Sequence, residues 1–106
     1  MIKLIEDKME RLRALCEKYR VARLDLFGSA TTDEWNPIQS DLDFLVTFNP
    51  PPAEMGGFDQ YMDFLLDLQR LFLRKVDLVE ESAVKNKYFI AAVNQQRVSV
   101  YVKAAA

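Results

Sequence analysis

Apolar positions recur along this chain with two different periods, and the switches between them mark out the elements. Over residues 2–20, Ile2, Ile5, Met9, Leu12, Cys16 and Tyr19 return at spacings of three and four, with charged residues between them, which predicts an amphipathic helix. From Val21 to Phe27 the period drops to two: Ala22, Leu24 and Leu26 share one face of a strand, and Arg23 and Asp25 the other. The same period returns in Leu42, Phe44, Val46 and Phe48, giving a second strand over 41–48 that Pro50-Pro51-Pro52 must end, because proline cannot continue a ladder. Phe58 to Leu73 predicts a helix with too many apolar residues for one narrow stripe. It either lies under the sheet with another helix against it or offers surplus surface to another protein. A strand over 75–80, a polar turn near Glu80-Glu81-Ser82 and a helix over 83–94 follow, the last with Val84, Tyr88, Ile90 and Ala91 inward. Val98 to Val102 alternates as a short edge strand, and residues 104–106 read as a frayed end. The fold class is α/β (α+β): a mixed sheet with helices packed across it.

Length narrows this to one unit. With 106 residues, 50% of them apolar, the chain can bury one core, so residues 1–106 form a single domain with no internal repeat. The net charge of -2 argues against binding a bulk polyanion, and no direct contact with nucleic acid is expected. Charge is unevenly spread. Residues 21–63 hold one base and eight acids, against six and four in residues 1–20. The single cysteine, Cys16, rules out an internal disulfide and a cysteine-type zinc site, and the absence of histidine removes the usual general base. Acids and bases interrupt every early apolar run, so neither a signal peptide nor a membrane span is expected, and the composition fits a cytoplasmic protein.

The chemistry gathers in residues 24–48. Asp41 and Asp43 sit two apart on a strand and point the same way. Side by side they repel, and a divalent cation is the ordinary remedy. An exposed strand end that carries two acids would account for the pair equally well. Upstream, Gly28-Ser29 follows an apolar strand, where glycine permits a tight turn and close approach to a ligand. Backbone N–H groups and a serine hydroxyl can then seat phosphate oxygens if a helix opens there, and a short one is expected over 29–34, before Asn36-Pro37. Trp35 in this connection is expected to cover the core or to stack on a base. Asp77, in Val76-Asp77-Leu78-Val79, supplies a third carboxylate if its strand pairs beside the second one. Three converging carboxylates can hold two metal ions for an in-line phosphoryl or nucleotidyl transfer.

Leu26-Phe27-Gly28-Ser29, Ser40-Asp41-Leu42-Asp43-Phe44-Leu45-Val46 and Val76-Asp77-Leu78-Val79, in that order, resemble the minimal nucleotidyltransferases of the polymerase-β superfamily, across almost the whole chain. The resemblance implies a palm-like nucleotidyltransferase fold, ATP as substrate and two Mg2+ ions. It assigns Gly28 and Ser29, with Thr32 and Ser40 nearby, to the nucleotide, and Asp41, Asp43 and Asp77 to metal and catalysis. It also implies a HEPN-type helical toxin as partner in a hetero-oligomer, with AMP transferred to a tyrosine of that toxin, so that the chain acts as antitoxin. One position departs from the pattern: Thr32 stands where relatives carry an arginine, and it has neither fixed charge nor bidentate fork. Lys75 or a partner is then the candidate source of that cation. The alternative reading is a module that neutralises its partner by contact and uses no nucleotide.

Overall fold

In the computed structural model, which describes residues 1–104, the alternating segments form four strands: β1 (Val21–Phe27), β2 (Leu42–Phe48), β3 (Val76–Glu80) and β4 (Val98–Val102). Their order across the sheet is β3-β2-β1-β4, with β1 antiparallel to β2 and β4 and with β2 and β3 parallel. The sheet is therefore mixed. A parallel pair needs a crossover, and α3 (Gly57–Phe72) supplies it. Of the tail expected to fray, Ala105 and Ala106 lie outside the described residues.

One face of the sheet builds the core. Leu24, Leu26, Leu42, Phe44, Val46, Val76 and Leu78 bury there with Leu12 and Cys16 of the second helix and Phe64, Leu68 and Phe72 of α3. Phe64 packs against Tyr19 at 5.6 Å and Phe48 at 5.8 Å between ring centroids, and Phe44 against Phe72 at 6.0 Å. The one buried amide in this layer is satisfied: Gln60 Nε2 donates to Tyr19 O and Asn49 O. α3 also tends the edge strand beside it. Val76 N–H donates to Gln69 Oε1 at 3.2 Å and Tyr61 Oη–H donates to Leu78 O, which blunts β3 as a template for further strands.

Two elements differ from the sequence expectation. The helix expected over 2–20 is two, α1 (Lys3–Glu6) and α2 (Met9–Lys18), because Lys8 N–H bonds back to Ile5 O and leaves the helical register before Leu12 N–H resumes it on Lys8 O. Neither glycine nor proline marks the break, and Ile5, Leu12 and Cys16 all still reach the core. The helix expected over 83–94 begins later, as α4 (Lys87–Gln96), after a 3₁₀ turn at Glu81–Ala83. Asn86 sets the start by accepting from Tyr88 N–H and Phe89 N–H, as an N-cap. The inward face is the one shared by Phe89 and Val93, four residues apart, so Val93 is buried and Phe89, Ile90 and Val84 are half-buried, while Tyr88 and Ala91 are exposed. As expected for so apolar a helix, α3 packs against α2 and still leaves Phe58 and Leu66 exposed, as is Leu73 just past its end. Among the described residues, no helix is long and apolar enough to cross a membrane.

Candidate active site

The second face of the sheet carries the polar chemistry. Register alone lines up one row across three strands: Phe27 of β1 is level with Asp43 of β2, and Asp43 with Asp77 of β3. Residues level in a ladder present their side chains on the same face, so Asp43 and Asp77 are neighbours. Parallel pairing of β2 and β3, which spacing could not supply, brings the third carboxylate into place.

Gly28 closes on this row. It takes a φ of +73°, and a Cβ at that position would overlap the Asp43 carboxylate, so glycine is required both by conformation and by space. Instead of the short helix expected over 29–34, a single 3₁₀ turn spans Gly28–Thr31. The turn is braced by its threonines: Thr31 Oγ1 donates to Gly28 O at 2.8 Å and Thr32 Oγ1 to Ser29 O at 3.0 Å, while Thr32 Oγ1 accepts from Glu34 N–H. The loop onward to Asp41 is held in the same manner. Ser40 Oγ accepts from Asn36 N–H, and Arg74 donates to Ser40 O and Pro37 O while lying over the Trp35 ring at 5.2 Å. Trp35 packs against the core. Thr32 and Ser40 thus shape the wall of the site by holding its loop.

The carboxylates feel one another strongly. Asp43 is pushed up to about 6, first by burial, then by a hydrogen bond shared with Asp77 and the charges of Asp77 and Asp41, with Lys75 pulling the other way. Lys75 Nζ stands 3.9 Å from Asp41 Oδ2 and 3.8 Å from Asp77 Oδ1, an ammonium resting between two of the three acids. Among the described residues, no three acids are already closed into a metal-binding group. The donor set nevertheless fits a hard divalent cation. All three donors are carboxylates, the glycine leaves room beside one of them, and a positive charge already occupies the gap between the other two.

Beside Asp43 and Asp77 lies a cleft of about 410 Å³ whose other walls include Phe27, Tyr61, Leu65 and Phe89. Phe89 of α4 meets Phe27 edge-on at 5.8 Å. A larger hollow, about 490 Å³ at the α1–α2 break, is walled by the consecutive residues Glu6 to Arg11 and gathers no converging groups.

Sequence reading placed Asp25 on this face and did not foresee its burial. It is fully buried, paired with Arg23 Nε at 3.0 Å and with Arg97 Nε, while Arg97 Nη2 also reaches Glu81 Oε1 at 2.7 Å. The fork of Arg97 holds Glu81 below the usual carboxylate range. The signal available in sequence was a lone acid inside an apolar strand, with an arginine just before the last strand.

Residues 8–100 match the model of the nucleotidyltransferase domain. The chain belongs to the nucleotidyltransferase domain family. Two proteins of Methanocaldococcus jannaschii, each named as a provisional protein adenylyltransferase, are 35% and 27% identical to it over 88 residues, in both cases 83% of this chain and 85% of the relative. A solved structure described as a provisional minimal nucleotidyltransferase superposes with a TM-score of 0.72 at 25% identity, covering 92% of this chain and 95% of the other. A complex of a tri-AMPylated HEPN toxin of Shewanella oneidensis with its MNT antitoxin aligns with a TM-score of 0.63, over 93% of this chain and 73% of that one. At 15% identity, that last likeness shows the shared fold alone.

Proposed function

We propose that this nucleotidyltransferase domain transfers AMP from ATP to a protein hydroxyl, that of a tyrosine on a HEPN-type helical partner, and so serves as an antitoxin. The observation that carries the reading is the row in which Asp77 lies level with Asp43, with Gly28 closed against the latter. The names of the archaeal relatives support a protein as acceptor, and the fold likeness to the toxin–antitoxin complex supports the kind of partner.

The chain's own residues divide the work. Gly28, without a side chain, lets the backbone of the turn come close to the β- and γ-phosphates, and Ser29 offers a hydroxyl beside them. Asp41, Asp43 and Asp77 would hold two magnesium ions, which when bound neutralise the triphosphate and acidify the acceptor hydroxyl. Thr32 and Ser40 keep the loop that carries Asp41 in place through the hydrogen bonds described above. Arg74 backs that loop from the end of α3.

The test is ATP labelled at the α-phosphate, mixed with magnesium, the chain and the protein encoded beside it. Label is expected on a tyrosine of that protein and is expected to vanish with Asp41→Asn/Asp43→Asn. Undiminished labelling by the double variant would overturn the proposal. A second reading, neutralisation by contact without nucleotide, is favoured by two observations: Thr32 is engaged within its own turn, and Lys75 already offsets Asp41 and Asp77. Under that reading the double variant still silences the partner in a growth assay.

A further inference from the structure

We infer that Ile38 and Leu73, held out to one side of the carboxylates, anchor a docking surface for the partner protein, which meets them with an apolar pocket rimmed by basic residues. The surface rests on the function proposed above for the identity of that partner, a HEPN-type helical protein, and it serves whether the partner is modified or only bound.

A single exposed apolar side chain is ordinary on any protein surface and carries no meaning by itself. These two differ because the fold gives neither a reason to be apolar. Leu73 is 84% exposed and ends α3 at a φ of +53°, a left-handed conformation in which glycine is the comfortable residue. Leucine there strains the backbone and buries almost nothing. Ile38 is 91% exposed, yet it does not ride on a slack loop. Asn36 Oδ1 accepts from Ile38 N–H at 2.8 Å and from Gln39 N–H at 3.1 Å. Ser40 N–H donates to Asn36 O at 3.0 Å, and Ser40 Oγ accepts from Asn36 N–H. The turn therefore presents a branched apolar side chain to water in a fixed place.

Arg74 joins the two. It follows Leu73 directly in the chain, and its guanidinium donates to Pro37 O and Ser40 O, the carbonyls on either side of Ile38-Gln39. The same guanidinium lies over the ring of Trp35, which packs against the core. One arginine thus sets the spacing between the end of α3 and the tip of the loop. An apolar pair fixed before docking loses little freedom on docking, which is the property of a binding hot spot. Charge defines the rest of the partner's chemistry. Asp33 and Glu34, on the same loop, are exposed, and among the described residues neither is in an ion pair. The bases nearby are already engaged: Arg70 with Asp67, Arg74 with the loop carbonyls, and Lys75 with Asp41 and Asp77. A basic rim around an apolar pocket complements such a surface. Its place fits as well, because Asp41 follows Ile38 by three residues and Lys75 follows Leu73 by two. A protein seated there is held at the edge of the carboxylates.

The experiment measures the affinity of the full-length chain for the protein encoded beside it, by calorimetry, with thermal unfolding of each variant alongside. Ile38→Ser and Leu73→Gly should each weaken binding at least tenfold. Leu73→Gly should also unfold at or above the wild-type temperature, since glycine relieves the left-handed position; a leucine kept for the fold would give a lower one. Phe58→Ser, which removes an exposed apolar residue at the far end of α3, should bind within twofold of the wild type. Asp33→Asn/Glu34→Gln should weaken binding at low salt and match the wild type at high salt. The surface is overturned if the wild type does not bind that protein, or if either Ile38→Ser or Leu73→Gly binds within twofold of it. It is also overturned if the wild type is a dimer that Ile38→Ser splits, which would seat a second copy there. If docking is lost as expected but the partner bound by the wild-type chain takes no label from ATP, the transfer reading falls and the docking surface stands under neutralisation by contact.

Discussion

Asp43 is held where its charge is unwelcome, and that makes a stability prediction that needs neither substrate nor partner. Its ordinary value is 3.8, and in the folded chain it titrates at about 6. Between those two values the native state binds more protons than the unfolded state. Stability conferred by the protonated form is therefore lost as pH rises from about 4 to about 6, and it stays lost above that. A displacement of about two units corresponds to at most ~3 kcal/mol. Asp43 is half-exposed, so solvent screening reduces this to about 1 kcal/mol at pH 8.

Asp43→Asn removes the charge, keeps the shape that Gly28 tolerates, and offers Asp77 an N–H in place of the shared proton. In EDTA at pH 8, the variant is expected to melt ~4–8 °C above the wild type by circular dichroism, the shift that about 1 kcal/mol brings in a domain of this size. At pH 5 the gap should shrink, because the wild-type carboxyl is then largely protonated. A variant that melts at or below the wild type at pH 8, or whose advantage is equal at both pH values, refutes the reasoning. The expected gain in stability goes with an expected loss of transfer, as for any group kept for its chemistry at the expense of the fold.

Other substitutions separate the parts of the site. Gly28→Ala forces a Cβ into the Asp43 carboxylate at a positive φ and should cost ~1–3 kcal/mol by thermal unfolding, with loss of ATP-analogue binding by calorimetry. Arg97→Met strips the main partner from a buried Asp25 and should cost ~3 kcal/mol, the low end for a broken buried pair, because Arg23 remains. Asp25→Leu added to that variant should recover most of the loss in urea unfolding. Lys75→Met removes the ammonium between Asp41 and Asp77, so Mn2+ should bind the nucleotide-free chain several-fold more tightly; unchanged affinity would show that Lys75 does not occupy the cation's place.

Much of this was legible in the residues, and the part that was not has a physical reason. Period-two alternation in 21–27 and 42–48 fixes which side chains share a face, so the placement of Asp43 on the face opposite Leu42 and Phe44 needed no coordinates. Pairing between strands is a different matter. That β3 lies parallel to β2, with Asp77 level with Asp43, depends on how α3 crosses over, and no local pattern states it. The inward face of α4 differs from the expectation at Tyr88 and Ala91 because apolar residues lie on adjoining faces of this helix, and only the tertiary contact of Phe89 with Phe27 selects the face that holds Val93. Asp25 was placed on the right face, but its burial comes from Arg97, seventy-two residues away, folding over it.

The Asp25 network also bears on how the site keeps its shape. Arg97 joins Asp25 of β1 to Glu81, which follows directly on β3, and itself immediately precedes β4. It therefore ties β1 to the end of β3, the two outer strands of the row of Phe27, Asp43 and Asp77. Two acids and two arginines make up the network, so it adds no net charge beside carboxylates that already repel. A neutral apolar replacement could match its stability. What a directional, two-pronged guanidinium adds is a fixed spacing between β1 and the end of β3, and with it the separation between Asp43 and Asp77. Disturbing Arg97 should then alter the geometry of the carboxylate row while leaving its charge as it is. Such a defect would weaken transfer even in variants whose stability has been restored by Asp25→Leu.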